Sequence, residues 1–372
     1  MSRTSSLLLA GAVLAAALAP AAVAGAAPQG KADKARAEHE RIVAYWTPER
    51  MKAAKPRDFE RLPDGSFRQV KPTKGPGGAK GKPGTGGGGG STVCSGDVLS
   101  TSGASWDCPG PVKMLTGKVL FTMGGQEYVC SGAVADDGDN QADGNGNALV
   151  LTAGHCVWDQ GTPGAFATNW LFYPDFDANS NPSHSCSVSL YGCWTATSLV
   201  ADTGFTSETQ FTSAAITHDY AFAVVGPGGK GSPAAELDVA MKGEYSVGTS
   251  TSLPEERVTA FGYPQASPYD GTDLVYCNGT PFADSGLAGL TWGLGCTMTG
   301  GASGGPWLSG VKLDGSGGTL VSLNSYKYNG RRGAAYMYGP KFNSETTNVW
   351  KAAKDVAAGN KVTQVDVLVG IG

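Results

Sequence analysis

The sequence predicts an all-β fold of the sandwich or barrel kind, with one helix near its C-terminus. Three observations point there. After residue 92, short β-prone runs alternate with clusters of Gly, Asn, Asp and Ser, the spacing of strands joined by turns. Glycine supplies 56 of 372 residues and charged residues only 16%, while the hydrophobic 41% is enough for a sizeable core and too much for a disordered chain. No helical pattern alternates with the strands, as a doubly wound α/β sheet would require.

The expected strands, in order, are 119–123, 128–134, 148–152, 220–225, 257–261, 319–323 and 334–338. The helix is expected to begin at Glu345 under a Ser344 cap. Val349, Trp350, Ala353 and Val356 recur at helical spacing and Gly359 ends the run, so it reads as a packing element.

Ahead of these strands the chain is organised differently. Arg3, an apolar run over 7–19 and small residues at 22–26 form a signal-peptide pattern over residues 1–26, which implies a secreted protein. The run is interrupted by Pro20 and is shorter than the roughly 20 residues a spanning helix needs, and no later stretch suits a membrane. Residues 27–70 are charged and lack cysteine, with a short helix expected around 42–54, where Trp46 and Met51 are the apolar landmarks. Residues 71–91, rich in Gly, Pro and Lys, have few side chains to pack and read as a linker. The domain proper is expected over 92–372.

Charge divides at the same place. Residues 1–91 carry 15 Lys and Arg against 7 Asp and Glu, a net +8, whereas 92–372 carry 13 against 25, a net −12. An acidic domain is a poor partner for nucleic acid. A basic segment ahead of it reads as a pro-segment held by opposite charge; a disordered spacer or a surface-attachment tail is the alternative.

All eight cysteines lie beyond residue 91, which suits an oxidising compartment. Eight cysteines allow 105 pairings. A sequential scheme is expected: Cys94 with Cys108, Cys130 with Cys156, Cys186 with Cys193, and Cys277 with Cys296. There is no pair of CxxC knuckles and no HExxH, and the chain has four His, so no zinc site is expected. The acidic loops 136–146 and 175–179 lack features of an EF-hand loop, the closing Glu in the first and the glycine in the second. They read as solvated turns, and no cofactor or metal is expected.

Three segments carry the chemistry: Leu151-Thr152-Ala153-Gly154-His155-Cys156, His218-Asp219-Tyr220-Ala221-Phe222-Ala223 and Gly300-Gly301-Ala302-Ser303-Gly304-Gly305-Pro306. A serine hydroxyl is a weak nucleophile at neutral pH. It needs an imidazole to take its proton and a carboxylate to orient and stabilise that imidazole. The Ser303 segment also satisfies G-x-S-x-G, but an α/β-hydrolase places its histidine after the serine, and the last His here is His218. The subtilisin order of Asp, His, Ser could be met with Asp136, Asp137, Asp139 or Asp143 ahead of His155, but the helices of that α/β sheet are missing.

In these motifs the chain resembles the chymotrypsin-like serine peptidases, particularly the secreted bacterial trypsin-like and glutamyl-endopeptidase-like branch, over about residues 110–358. The resemblance implies two antiparallel six-stranded β-barrels, at about 110–232 and 233–343, followed by a C-terminal helix at about 344–358. It implies that His155, Asp219 and Ser303 are catalytic, that the N–H groups of Gly301 and Ser303 form the oxyanion hole, and that the Cys130–Cys156 bridge closes the histidine loop. Asp202 is the rival acid, and His184 and His218 read as loop residues. The substrate pocket would include Thr297, Ser322 and Asn324, all polar and uncharged. Thr297 stands where trypsins place an acidic residue, and no histidine lies near Val321, where a glutamate-specific pocket would want one.

Ala302 stands where zymogens of this family place an aspartate that pairs with a new N-terminus, so latency would come from the pro-segment masking the cleft. The implied function is a secreted, monomeric serine endopeptidase acting on proteins or peptides, made as a zymogen. A catalytically silent homologue serving as a binding module, or an esterase with the same machinery, are the alternatives.

Overall fold

A computed structural model describes residues 30–70 and 94–371, apart from 139–145, 162, 178–182, 232–233, 251, 253 and 255. The signal-peptide and linker assignments lie outside the described residues, as do the middle of the first acidic loop and the end of the second.

The N-terminal segment is folded. Helices α1 (Lys31–Tyr45) and α2 (Pro48–Ala53) replace the single helix expected over 42–54. Pro48 explains the break: it cannot donate a backbone hydrogen bond to continue α1 but suits the first turn of a new helix, which the Thr47 side chain caps. Three short strands follow, β1 (Lys55–Pro56), β2 (Phe59–Arg61) and β3 (Phe67–Gln69). Ile42, Trp46, Met51 and Ala54 are buried in the main core, and the Trp46 indole donates to Asn169 O at 2.6 Å. Opposite charge contributes through Arg57 with Asp159 and Arg50 with Glu127. The apolar contacts, invisible in a charge count, anchor the segment as well.

Strand β4 (Thr101–Ser105) precedes the first barrel, whose strands are β5 (Thr116–Met123), β6 (Gln126–Ala135), β7 (Ala148–Thr152), β8 (Thr168–Pro174), β9 (Trp194–Asp202) and β10 (Ala221–Val225). They pair antiparallel in the order β6-β5-β8-β9-β10-β7, and β7 returns to β6, so the sheet closes. Closure removes free edges and buries one face. Leu120, Val129, Val150, Leu171, Leu199 and Phe222 are fully buried.

The strands of the second half include β11 (Val258–Gly262), β12 (Val275–Gly279), β13 (Thr291–Gly295), β14 (Pro306–Ser309), β15 (Thr319–Leu323), the short β16 (Tyr326–Tyr328) and β17 (Tyr336–Pro340). One sheet holds β15-β14-β11-β12-β4 and another β13-β17-β16-β2-β3. β12 lies against β13 and β15 against β17, around a core that includes Val258, Cys277, Leu294, Met298 and Trp307. Helix α3 (Ser344–Ala357) then packs on β9 and β10. Its cap is Asn343 rather than Ser344, because Asn343 and Thr346 form a reciprocal capping box. Strand β18 (Val367–Ile371), not expected from the sequence, pairs with β9.

The four disulfides join Cys94 to Cys108, Cys130 to Cys156, Cys186 to Cys193 and Cys277 to Cys296. Among the described residues no helix is long and apolar enough to cross a membrane.

Candidate active site

Strand pairing brings His155 and Asp219 together. β7 and β10 are antiparallel neighbours with Thr152 opposite Ala221, so the turn that follows β7 and the turn that precedes β10 emerge at one end of the sheet. His155 lies in the first turn and Asp219 in the second. The His155 Nδ1 is 2.8 Å from Asp219 Oδ2, and the His155 backbone N–H donates to Asp219 Oδ1 at 2.8 Å. Both side chains are fully buried. A carboxylate held at both oxygens fixes the imidazole's orientation and favours the Nδ1–H tautomer, leaving Nε2 to accept a proton.

Two serines complete the frame, and neither carries a motif that marks it in the sequence. Ser325 Oγ donates to Asp219 Oδ2 at 2.5 Å, tying the acid to the second half of the molecule. Ser131, next to Cys130 on β6, receives the Ser303 loop: its N–H donates to Ser303 O at 2.7 Å and its Oγ to Gly301 O at 2.9 Å. The Cys130–Cys156 bridge and Ser131 thus fix the His155 turn and the Ser303 turn from adjacent residues of one strand. Position 131 is signalled only by its place beside the cysteine, and position 325 only by following β15.

Ser303 lies between β13 and β14 in a glycine-rich turn. Gly301 has φ +99°, and a Cβ there would sit 2.8 Å from Tyr263 O, so a side chain would meet both backbone strain and a clash. That conformation directs the Gly301 N–H into the cleft, where it donates to a carboxylate at 3.2 Å.

The carboxylate belongs to Asp58, between β1 and β2 of the N-terminal segment. Ser303 Oγ donates to the same oxygen, Asp58 Oδ1, at 3.0 Å. His155 Nε2 is buried with no hydrogen-bond partner among the described residues. The neighbours of Asp58 are equally engaged. Arg57 donates to His155 O at 2.8 Å and pairs with Asp159 at 3.1 Å; Phe59 stacks on Phe211 and meets the His155 ring edge-on, with centroids 5.4 Å apart. β1 runs parallel to β6 and β2 parallel to β16.

The rival residues sit elsewhere. Asp202 accepts from the Tyr220 hydroxyl at 2.7 Å and lies 3.3 Å from His218; its hydrogen bond raises that imidazole's pKa. His184 stacks on Phe176. Of the predicted pocket residues, Ser322 donates to Pro340 O, while Asn324 bonds to Trp307 and to the carbonyls of Phe261 and Ala302. Thr297 Oγ1 is shared with Ser102 O and the Tyr269 hydroxyl. Their polar atoms are used by the frame. The charged group on that wall is Lys327, whose Nζ donates to Met298 O at 2.7 Å and Cys296 O at 3.2 Å. Burial lowers its amine to about 8, against the opposing pull of Asp58. It escapes motif reading because a lone lysine between two tyrosines looks like an exposed strand position.

Asp136, Asp137 and Glu244 approach closely enough to hold a cation, and such acidic groupings are common without one. Cys130, His155 and Cys156 also cluster, but both sulfurs are in the disulfide, which removes the thiolates a metal needs.

A closed six-stranded barrel beside a second β half, with a buried His–Asp pair and a serine in a glycine turn, is the arrangement of the serine-protease fold. The comparisons agree. The chain is 33% identical to the protease Anisep from Arthrobacter nicotinovorans, over 68% of this chain and 99% of that one, with a TM-score of 0.54. It is 30% identical to the thermostable serine protease AL20 from an extremophilic microorganism, over 66% and 98%, with a TM-score of 0.53. No protein-family model and no curated protein matches the sequence. The chain belongs to the chymotrypsin-like serine proteases.

Proposed function

We propose that the protein is a secreted serine endopeptidase that works through an acyl-enzyme at Ser303. The observation that carries this reading is the buried His155–Asp219 pair beside a serine whose glycine turn offers a backbone N–H for an oxyanion. In the first step Ser303 Oγ bonds to the substrate carbonyl carbon and its proton passes to His155 Nε2. The C–N bond then breaks, and the departing amine takes that proton. A water molecule repeats the sequence: His155 accepts its proton, the hydroxyl attacks the ester, and Ser303 leaves reprotonated. Asp219, steadied by Ser325, stabilises the imidazolium formed in each half. The Gly301 and Ser303 N–H groups would hold the oxyanion, a contribution worth on the order of 100 to 1,000-fold per donor.

Residues 27–70 would be a pro-segment and 71–91 the stretch cut on activation. Four disulfides suit an extracellular site of action, and protein or peptide substrates follow from the chemistry. Labelling with a fluorophosphonate after cleavage within 71–91, together with digestion of a mixed peptide library, tests the reading. Labelling at Ser303 with peptide cleavage is expected. Labelling with ester but no peptide turnover would mean an esterase, and no labelling a silent binding module.

A further inference from the structure

The N-terminal segment does more than cover the cleft: it contacts the reacting groups one by one. Asp58 occupies the place where a substrate's carbonyl oxygen would be received, since its Oδ1 takes hydrogen bonds from both Gly301 N and Ser303 Oγ. Ser303 therefore donates its hydroxyl hydrogen bond to a carboxylate instead of to His155, whose Nε2 is left without a partner among the described residues. The scaffold around this contact is specific. Arg57 is nearly fully buried and holds the His155 carbonyl and Asp159. Phe59 fills an apolar cluster with Phe205, Phe211 and Tyr326, and a Cβ on Gly300 would collide with the Asp58 carboxylate.

We propose that residues 55–61 are a built-in inhibitor whose Asp58 carboxylate plugs the oxyanion site and uncouples Ser303 from His155, and that the cleft is an acceptor surface for an extended peptide carrying a carboxylate at that point. The inference rests on the peptidase reading and adds to it the means of latency. Chemistry explains why such a plug survives in the cleft of a peptidase. The group at the nucleophile is a side-chain carboxylate, not a peptide carbonyl. Acyl transfer from it would have to expel an oxygen anion, so the segment occupies the site without offering a bond to cut. Latency of this design needs no aspartate immediately before Ser303 in the chain, which fits Ala302 at that position.

The test compares fluorophosphonate labelling rates of the full-length chain, intact and after cleavage at a protease site inserted within 71–91, for wild type, Asp58→Ala, Asp58→Asn and Arg57→Ala. The inference predicts that intact wild type labels at least tenfold more slowly than the cleaved chain, and that intact Asp58→Ala labels at least tenfold faster than intact wild type. Asp58→Asn keeps the shape and an acceptor oxygen without a charge to bury, so intact Asp58→Asn should stay as slow as intact wild type, whereas Arg57→Ala should accelerate. Cleaved Asp58→Ala must match cleaved wild type, which shows that it folds; should it fail to fold, Arg57→Ala carries the comparison. Equal rates for intact and cleaved wild type would overturn the inference. So would an intact Asp58→Ala as slow as intact wild type when both accelerate on cleavage, because masking would then not run through the carboxylate. Absence of labelling in every form would remove the peptidase reading itself, and the inference with it.

Discussion

Two carboxylates meet the cleft from opposite sides, and their surroundings differ. Asp219 stands behind His155, at the end of a closed barrel, bonded to the imidazole, to the His155 N–H and to Ser325. Asp58 stands in front of Ser303, on a segment followed by the Gly- and Pro-rich stretch 71–91, and shares one oxygen between Gly301 and Ser303. In the proposed mechanism the first would complete half of a catalytic triad from within the barrel, and the second would interrupt the other half until the N-terminal segment is cut free and released. On that reading the same functional group supports or suppresses the chemistry according to which side of the Ser–His pair it occupies.

Removing each side's contribution separates the two. The largest effect is expected from Ser303→Ala, which should lower peptide turnover of the cleaved enzyme by on the order of 10⁴-fold or more, measured as kcat/KM beside cleaved wild type. Asp219→Asn keeps the shape but favours the wrong tautomer of His155, and should cost about 10⁴-fold in kcat. A much smaller loss would mean that Asp219 only packs. Ser325→Ala removes one hydrogen bond to that charged carboxylate, a loss of about 1.5 to 3 kcal/mol, and should reduce kcat roughly 10 to 100-fold while leaving KM nearly unchanged. A raised KM with kcat unchanged would place Ser325 in substrate binding instead. For stability, replacing Cys130 and Cys156 together by Ala should cost roughly 3 kcal/mol in the chain-entropy account of a closed loop, read from denaturant unfolding.

The smallest effect sharpens the Asp58 side. Desolvation in the cleft raises the Asp58 pKa, opposed by the nearby His155 and Lys327 and by its hydrogen bonds to Ser303 and Gly301. A group whose pKa is raised in the docked state contributes stability that is complete below its free pKa and lost as pH rises through the docked one. Docking should therefore weaken as pH climbs from the ordinary carboxylate range. The intact-to-cleaved ratio of labelling rates should rise over that window in wild type and be flat in Asp58→Asn.

How much of this was legible in the sequence follows the range of the interactions. The motifs around His155, Asp219 and Ser303 are local, because a buried strand end and a glycine turn each leave a signature in a few residues. Strands such as 168–174, 194–202 and 291–295 escaped the pattern reading: burial on both faces and interruption by Gly and Asn erase the two-residue alternation. Ser131 and Ser325 reach Gly301 and Asp219 across 170 and 106 residues of chain, and nothing near either records its partner. Asp58 is the extreme case. Composition marks its segment as charged and separable, but only folding reveals that one of its acids reaches Gly301 and Ser303.

The central claim is that Ser303 is a nucleophile activated by His155 once the N-terminal segment is released. It is tested most directly by locating the adduct by mass spectrometry after fluorophosphonate treatment of the intact and the linker-cleaved chain. The account predicts an adduct on Ser303 that forms rapidly only in the cleaved chain and vanishes in His155→Ala. An adduct elsewhere, or none in the cleaved chain, would contradict it.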